Sequence, residues 1–124
     1  KVYGFNKPDE NAVEFLTTNF ALSYYAVANE LSGLKCGSYL VITPSEGMSV
    51  LTAWSAQKIT AEIASKVVSA NDILNKVKSR RIIIPGLLSD LREELQEALP
   101  DWKIVVGTTE AYKIPDFVKK LSDV

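Results

Sequence analysis

Apolar and polar positions alternate along the chain in two rhythms, one suited to strands and one to helices. Val13-Glu14-Phe15-Leu16-Thr17 reads as a short first strand. Thr18 or Asn19 is placed to cap a helix in which Phe20, Tyr24, Val27, Ala28 and Leu31 share one face, and Ser32-Gly33 ends it. Ser38-Tyr39-Leu40-Val41-Ile42-Thr43 has the β-branched, nearly unbroken apolar character of a strand covered on both faces, and Pro44 with Gly47 breaks it. A helix is predicted from Ile59 to Ala70 with Ile63, Ala64 and Val67 inward, continuing or restarting from Asn71-Asp72 to Ser79. Arg80-Arg81 introduce a third strand, Ile82-Ile83-Ile84, stopped by Pro85-Gly86. Leu87, Leu88, Leu91, Leu95 and Leu99 then form the apolar stripe of a helix closed by Pro100. Trp102 to Val106 is a fourth strand, and a last helix opens at Pro115 and buries Phe117, Val118 and Leu121.

Strands alternating with helices through short connections imply an α/β fold: a small Rossmann-like sandwich with a mainly parallel sheet flanked by helices. Residues 1–11 show no sustained periodicity and read as an irregular linker, leaving 12–124 as the folded domain. Lys1, followed by Val2-Tyr3-Gly4-Phe5-Asn6-Lys7-Pro8, reads as a connector from a longer chain. Parallel strands place their carboxyl ends together, so four segments are expected at one sheet edge. These are Thr17 to Phe20, Thr43 to Thr52, Pro85-Gly86, and Gly107 to Ala111. In open α/β sheets that edge is where ligands bind.

The stretch Gly47 to Lys58 follows the second strand as a turn of small residues interrupted by Met48, Val50, Leu51 and Trp54. Such a loop offers both backbone amides and apolar surface, which a phosphate alone would not require.

Composition narrows the chemistry. A chain of 124 residues holds one core, and a net charge of −1 gives no electrostatic footprint for nucleic acid or an anionic membrane. Charged residues break each apolar run well short of the roughly 20 residues a bilayer requires. One cysteine, Cys36, permits neither an internal disulfide nor a four-cysteine iron–sulfur cluster, and suits a reducing cytoplasm. There is no histidine. That excludes Ser-His-Asp and Cys-His nucleophiles and a histidine-ligated zinc. No Gly-x-x-x-x-Gly-Lys-Ser/Thr or Gly-x-Gly-x-x-Gly pattern occurs, so a nucleotide lacks its usual cradle. The adjacent carboxylates Asp9-Glu10 and Glu93-Glu94, and Lys58, Lys66, Lys76 and Lys78, read as solvated surface. A bound cofactor must therefore carry any difficult chemistry at the strand ends.

Val50-Leu51-Thr52-Ala53-Trp54, with Gln57-Lys58 following, resembles the corrinoid-binding loop of the corrinoid/iron-sulfur protein large subunit, the gamma subunit family of the CO dehydrogenase/acetyl-CoA synthase system. It is also similar to the loop of mercury-methylating corrinoid proteins. Thr17-Thr18-Asn19-Phe20, Ile82-Ile83-Ile84-Pro85-Gly86, and Val106-Gly107 before Glu110-Ala111 fit the same family in order, and a glycine is expected where Gln57 stands.

The resemblance implies a methyl carrier that binds cobalamin base-off, with no iron–sulfur cluster in this chain. The implied cofactor contacts are Thr17, Thr18, Asn19 and Phe20; Thr43; Gly47, Met48, Ser49, Val50, Leu51, Thr52, Ala53 and Trp54; Pro85 and Gly86; and Gly107, Thr108, Thr109, Glu110 and Ala111. Thr52 would lie near cobalt without ligating it. Cobalt(I) would accept a methyl group from a methyl-tetrahydropterin or methyl-tetrahydrofolate, and the implied partners are a methyltransferase, acetyl-CoA synthase and the corrinoid/iron-sulfur small subunit. An open upper face predicts an exposed apolar patch around the site. Two other readings stand beside it: a non-catalytic α/β interaction or regulatory domain that has lost the cofactor, favoured by Gln57, and a small enzyme binding a flavin or nucleotide at the same edge.

Overall fold

The computed structural model describes residues 2–71, 77–78 and 80–122. A five-stranded sheet has the order β1-β3-β2-β4-β5. Its strands are β1 (Val2–Phe5), β2 (Val13–Thr18), β3 (Ser38–Thr43), β4 (Arg81–Ile84) and β5 (Lys103–Val106). The β3-β2, β2-β4 and β4-β5 pairs are parallel, while β1 runs antiparallel to β3. The mainly parallel α/β sandwich expected from the sequence is therefore present. Its first strand replaces the irregular character expected before Ala12: Val2 registers with Val41 and Phe5 with Ser38. The Asn6 side-chain amide then ties the end of β1 to the Leu31 and Leu34 carbonyls at 3.0 and 2.8 Å.

Helices α1 (Ala21–Ser32) and α5 (Ile114–Ser122) cover one face of the sheet. Ala28, Leu31, Ile114 and Val118 pack there on Phe15, Leu40, Ile42 and Ile83. The other face carries α2 (Val50–Ser55), α3 (Ala61–Ser69) and α4 (Arg92–Ala98). Val50, Ala53, Ala64, Val68, Leu91 and Leu95 pack there on Leu16, Val41, Ile82 and Ile84. Neighbouring strand residues thus face opposite cores, which is why the central strands lack polar alternation. Burying each such Leu or Ile side chain contributes about 1.5–3 kcal/mol relative to leaving it exposed.

The long leucine stripe resolves into two pieces. A 3-10 helix spans Gly86–Leu91, with Leu88 at φ −100° and ψ 19°, before α4 begins. Leu88, Leu91, Leu95 and Leu99 remain buried, but Leu87 is released to the surface, 42% exposed. The last helix likewise starts one residue before Pro115, after a 3-10 turn at Ala111–Lys113. The helical extension predicted from Asp72 to Ser79 lies largely outside the described residues.

Candidate functional site

The chain leaves β2 through α1 to reach β3 on one side, then crosses back through α2 and α3 to reach β4 on the other. This reversal makes the carboxyl ends of β2 and β4 a topological switch point, where strand tips diverge and leave a crevice. The β2–β4 ladder pairs Glu14 with Ile82 and Phe15 with Ile83, stopping short of Leu16, Thr17 and Thr18. A cavity of about 250 Å³ opens there.

The cavity is walled by the strand tips, the segments that follow them and α1. Phe15, Leu16 and Thr17 of β2 meet Ile83, Ile84 and Pro85 of β4; Ser49, Val50 and Leu51 close one side; Gly107, Thr108, Thr109 and Ala111 close another. Ser23, Ala26 and Val27 of α1, with Leu87 and Ile114, complete it. None of the described lining residues carries a titratable side chain. Among the described residues no group of three His, Cys, Asp or Glu side chains could hold a metal ion.

Two glycines bring the tips of β4 and β5 together. Gly86 N donates to Thr108 O at 2.9 Å, and Gly107 N to Ile84 O at 2.8 Å. A β-carbon on Gly107 would stand 2.7 Å from Ile83 Cγ2, and one on Gly86 2.8 Å from Thr109 Cγ2. Neither position has room for a side chain.

The residues expected at the site fall into distinct groups. Thr17, Ser49, Val50, Leu51, Pro85, Gly107, Thr108, Thr109 and Ala111 line the cavity. Asn19 does not cap α1; Phe20 takes that position without a side-chain bond. Asn19 Oδ1 instead accepts hydrogen bonds from Ser45 N (3.2 Å), Ser45 Oγ (2.7 Å) and Gly47 N (2.9 Å), fixing the turn after β3. Thr18 and Thr43 register with each other at the tips of β2 and β3, fully buried, and among the described residues no group satisfies either hydroxyl. Ser49, not Thr52, caps α2: its Oγ accepts from Thr52 N at 3.4 Å and donates to Thr52 Oγ1 at 3.1 Å. Thr52 itself is exposed.

Met48 is half-buried against the α2/α3 core and Ala53 is fully buried within it, so Ala53 supports the loop from below. Trp54 turns away from the cavity and lines a separate depression with Gln57, Leu91 and Glu94. Glu110 lies at the exposed rim, 3.0 Å from Lys113 Nζ. The hydrogen bond from Lys113, with a second from Tyr112, holds the Glu110 carboxyl below the usual carboxylate range, while the same contact raises the Tyr112 phenol. The α1 wall was not anticipated. Ser23, Ala26 and Val27 share a face at helical spacing, and the small pair interrupting an apolar stripe was the signal for it.

Gln57 occupies the left-handed region at φ 56°. It follows α2 in a Schellman turn, with Gln57 N donating to Trp54 O at 3.1 Å and Lys58 N to Ala53 O at 2.8 Å. This explains why a glycine is expected there: the position ends a helix, away from the cavity wall.

Exposed apolar residues gather on the segments that follow the strand tips. Leu22 and Tyr25 begin α1, Leu51 begins α2, and Leu87 and Tyr112 lie on the two 3-10 turns, each between 42% and 70% exposed. Among the described residues no helix is long and apolar enough to cross a membrane.

The crevice at the switch point of this α/β domain is uncharged among its described lining residues and bears the hydroxyls of Thr17, Ser23, Ser49, Thr108 and Thr109. Residues 1–118 match the family described as CO dehydrogenase/acetyl-CoA synthase delta subunit, and the chain belongs to that family. It is similar to the corrinoid/iron-sulfur protein large subunit of Moorella thermoacetica, 41% identical over 111 residues that cover 90% of this chain and 25% of that protein. It is also similar to acetyl-CoA decarbonylase/synthase complex subunit gamma of Methanopyrus kandleri (29% over 119 residues, 96% of this chain and 26% of the relative). The corresponding subunit of Methanothermobacter thermautotrophicus is 31% identical over 121 residues, 98% of this chain and 26% of the relative. The chain spans about a quarter of the length of these relatives.

Proposed function

We propose that the chain is a corrinoid-binding methyl-carrier domain, with cobalamin seated base-off across the strand-tip cavity. The observation that carries this reading is a cavity at the switch point with no titratable side chain in its lining, bordered by exposed Leu51 and Leu87. A broad macrocycle with an amide-bearing edge suits such a surface. Apolar residues meet the ring, while the hydroxyls of Thr17, Ser49 and Thr108 offer bonds to its periphery. Thr18 and Thr43 add two buried hydroxyls without partners among the described residues, which a polar group reaching beneath the turn at Ser45 would satisfy.

When bound, the corrinoid supplies a cobalt centre able to take a methyl group from a methyl-tetrahydropterin or methyl-tetrahydrofolate and release it to acetyl-CoA synthase. The chain's own groups bind and orient. Thr52, engaged with Ser49 at 3.1 Å and exposed beside the wall residues Ser49, Val50 and Leu51, would offer a neutral hydroxyl and no nitrogen donor, which suits a metal left without a protein ligand. Leu51, Leu87 and Val27 line the cavity and would hold the macrocycle by apolar contact that shields it from water. Leu22, Tyr25 and Tyr112, exposed on the segments that follow the strand tips, would offer apolar surface to partners, for which we propose a methyltransferase, acetyl-CoA synthase and the small corrinoid/iron-sulfur subunit, in the cytoplasm. The Schellman turn removes the reason to read Gln57 as a lost cofactor contact.

The test is calorimetric titration with cobalamin of the natural chain and of an Ala26→Trp variant. Ala26 is exposed on α1 and lines the cavity, so the indole fills the site without entering the core. One-to-one binding weakened at least about tenfold in the variant supports the reading, that being the loss for about 1.4 kcal/mol of contact. Equal binding by both chains contradicts it.

A further inference from the structure

Trp54 stands apart from the cavity, in a second depression of about 380 Å³ between the end of α2 and the start of α4. Its floor is Ile59 and Leu91, both buried, and its polar members are Ser55, Gln57, Thr60 and Glu94. The Thr60 hydroxyl is occupied, accepting from Ile63 N at 3.2 Å as the cap of α3. Glu94 has no ion-pair partner among the described residues. The nearest cation in sequence to this wall, Lys58, is held by Glu46 at 3.3 Å, and Arg92 donates from Nε to Ile104 O at 3.1 Å. Asp90, Glu93 and Glu97 on the same stretch add further carboxylates.

We propose that this depression takes one arginine side chain from a partner protein, its guanidinium stacked on the Trp54 indole and bridged to the Glu94 carboxylate. An indole wall attracts a cation through its π face, and a carboxylate beside it accepts the guanidinium fork in two parallel bonds. Lysine would satisfy only one of these features well. The fold already uses the pairing internally, with Arg80 Cζ 5.0 Å from the Trp102 ring centroid. A depression with one aromatic wall and an exposed rim surrounds too little of a free small molecule to retain it, whereas a side chain carried on a larger surface needs only an anchor. This inference is independent of the cofactor reading.

The two indole N–H resonances of the isotope-labelled chain provide the test, with buried Trp102 as internal control. Titration with acetyl-Gly-Arg-Gly-amide should shift the Trp54 resonance saturably in the millimolar range and leave Trp102 in place. The same peptide with citrulline, neutral and nearly isosteric, should leave both unmoved. Glu94→Gln, at an exposed position, should weaken the arginine peptide at least about tenfold, as expected for loss of a charge-assisted pair. No saturable shift, an equal response to citrulline, or unchanged binding in Glu94→Gln overturns the proposal. Micromolar binding of free arginine overturns the partner-borne reading by marking a small-molecule site.

Discussion

The side-chain oxygen of Asn19, at the end of β2, lies 2.7 Å from the hydroxyl of Ser45, at the start of the turn after β3. With Ser45 N and Gly47 N as further donors, this one oxygen fixes the turn that leads to Ser49, Val50 and Leu51 in the cavity wall. Ser45 is buried, 1% exposed, so its amide has little access to water as a substitute partner. Asn19→Ala should therefore cost about 1–3 kcal/mol in urea unfolding and speed hydrogen exchange at Gly47 N. Asn19→Asp keeps the acceptor and should recover most of the loss; an equally destabilised Asp variant would show that the oxygen is not the anchor.

Gln57→Gly should stabilise the chain. A side chain at φ 56° costs roughly 1 kcal/mol that glycine avoids, partly offset by the freedom glycine adds to the unfolded state. The urea midpoint should rise with an unchanged slope, and cobalamin affinity should not move, because the position lies outside the cavity wall. A change in affinity would return Gln57 to the site.

Gly107→Ala should act in the opposite sense. Its β-carbon would approach Ile83 Cγ2 to 2.7 Å and Ile84 O to 3.2 Å, forcing the tips of β4 and β5 apart. Overpacking of this kind costs about 1–3 kcal/mol. Since both tips line the cavity, ligand affinity should fall with stability, which parallel thermal melts and titrations would reveal.

The Glu110 carboxyl should titrate below the ordinary carboxylate value of 4.5, chiefly because Lys113 bonds to its charged form. A carboxylate whose pKa is lowered by folding contributes stability that is present above its unfolded pKa and lost as pH falls through the folded one. The window therefore lies in acid, below about pH 4.5. Lys113→Gln should move the Glu110 carbon resonance titration upward; an unchanged midpoint would show that Lys113 is not the cause.

Local pattern made the strand tips legible. Ile82-Ile83-Ile84 before Pro85-Gly86 could be little other than a strand buried on both faces, and four such ends imply one functional edge. What the pattern could not convey was set by tertiary contact. Val2–Phe5 has four residues and a glycine within, so only its register against β3 makes it a strand. Asn19 has the chemistry of a cap, and its actual role depends on Ser45 lying 26 positions away. Trp54 follows buried Val50 by one helical turn and packs back on that side of α2, a direction that a loop reading does not contain. Leu87 belonged to the leucine stripe until the turn at Leu88 released it to the cavity.

The central claim is that the tips of β2, β4 and β5 hold a corrinoid whose cobalt receives no ligand from below. The most direct measurement is the visible spectrum of the chain after incubation with cobalamin and removal of the unbound excess. The account predicts one corrinoid per chain with base-off absorption at neutral pH, lost in Ala26→Trp. A colourless protein, or a bound corrinoid in the base-on form, would contradict it.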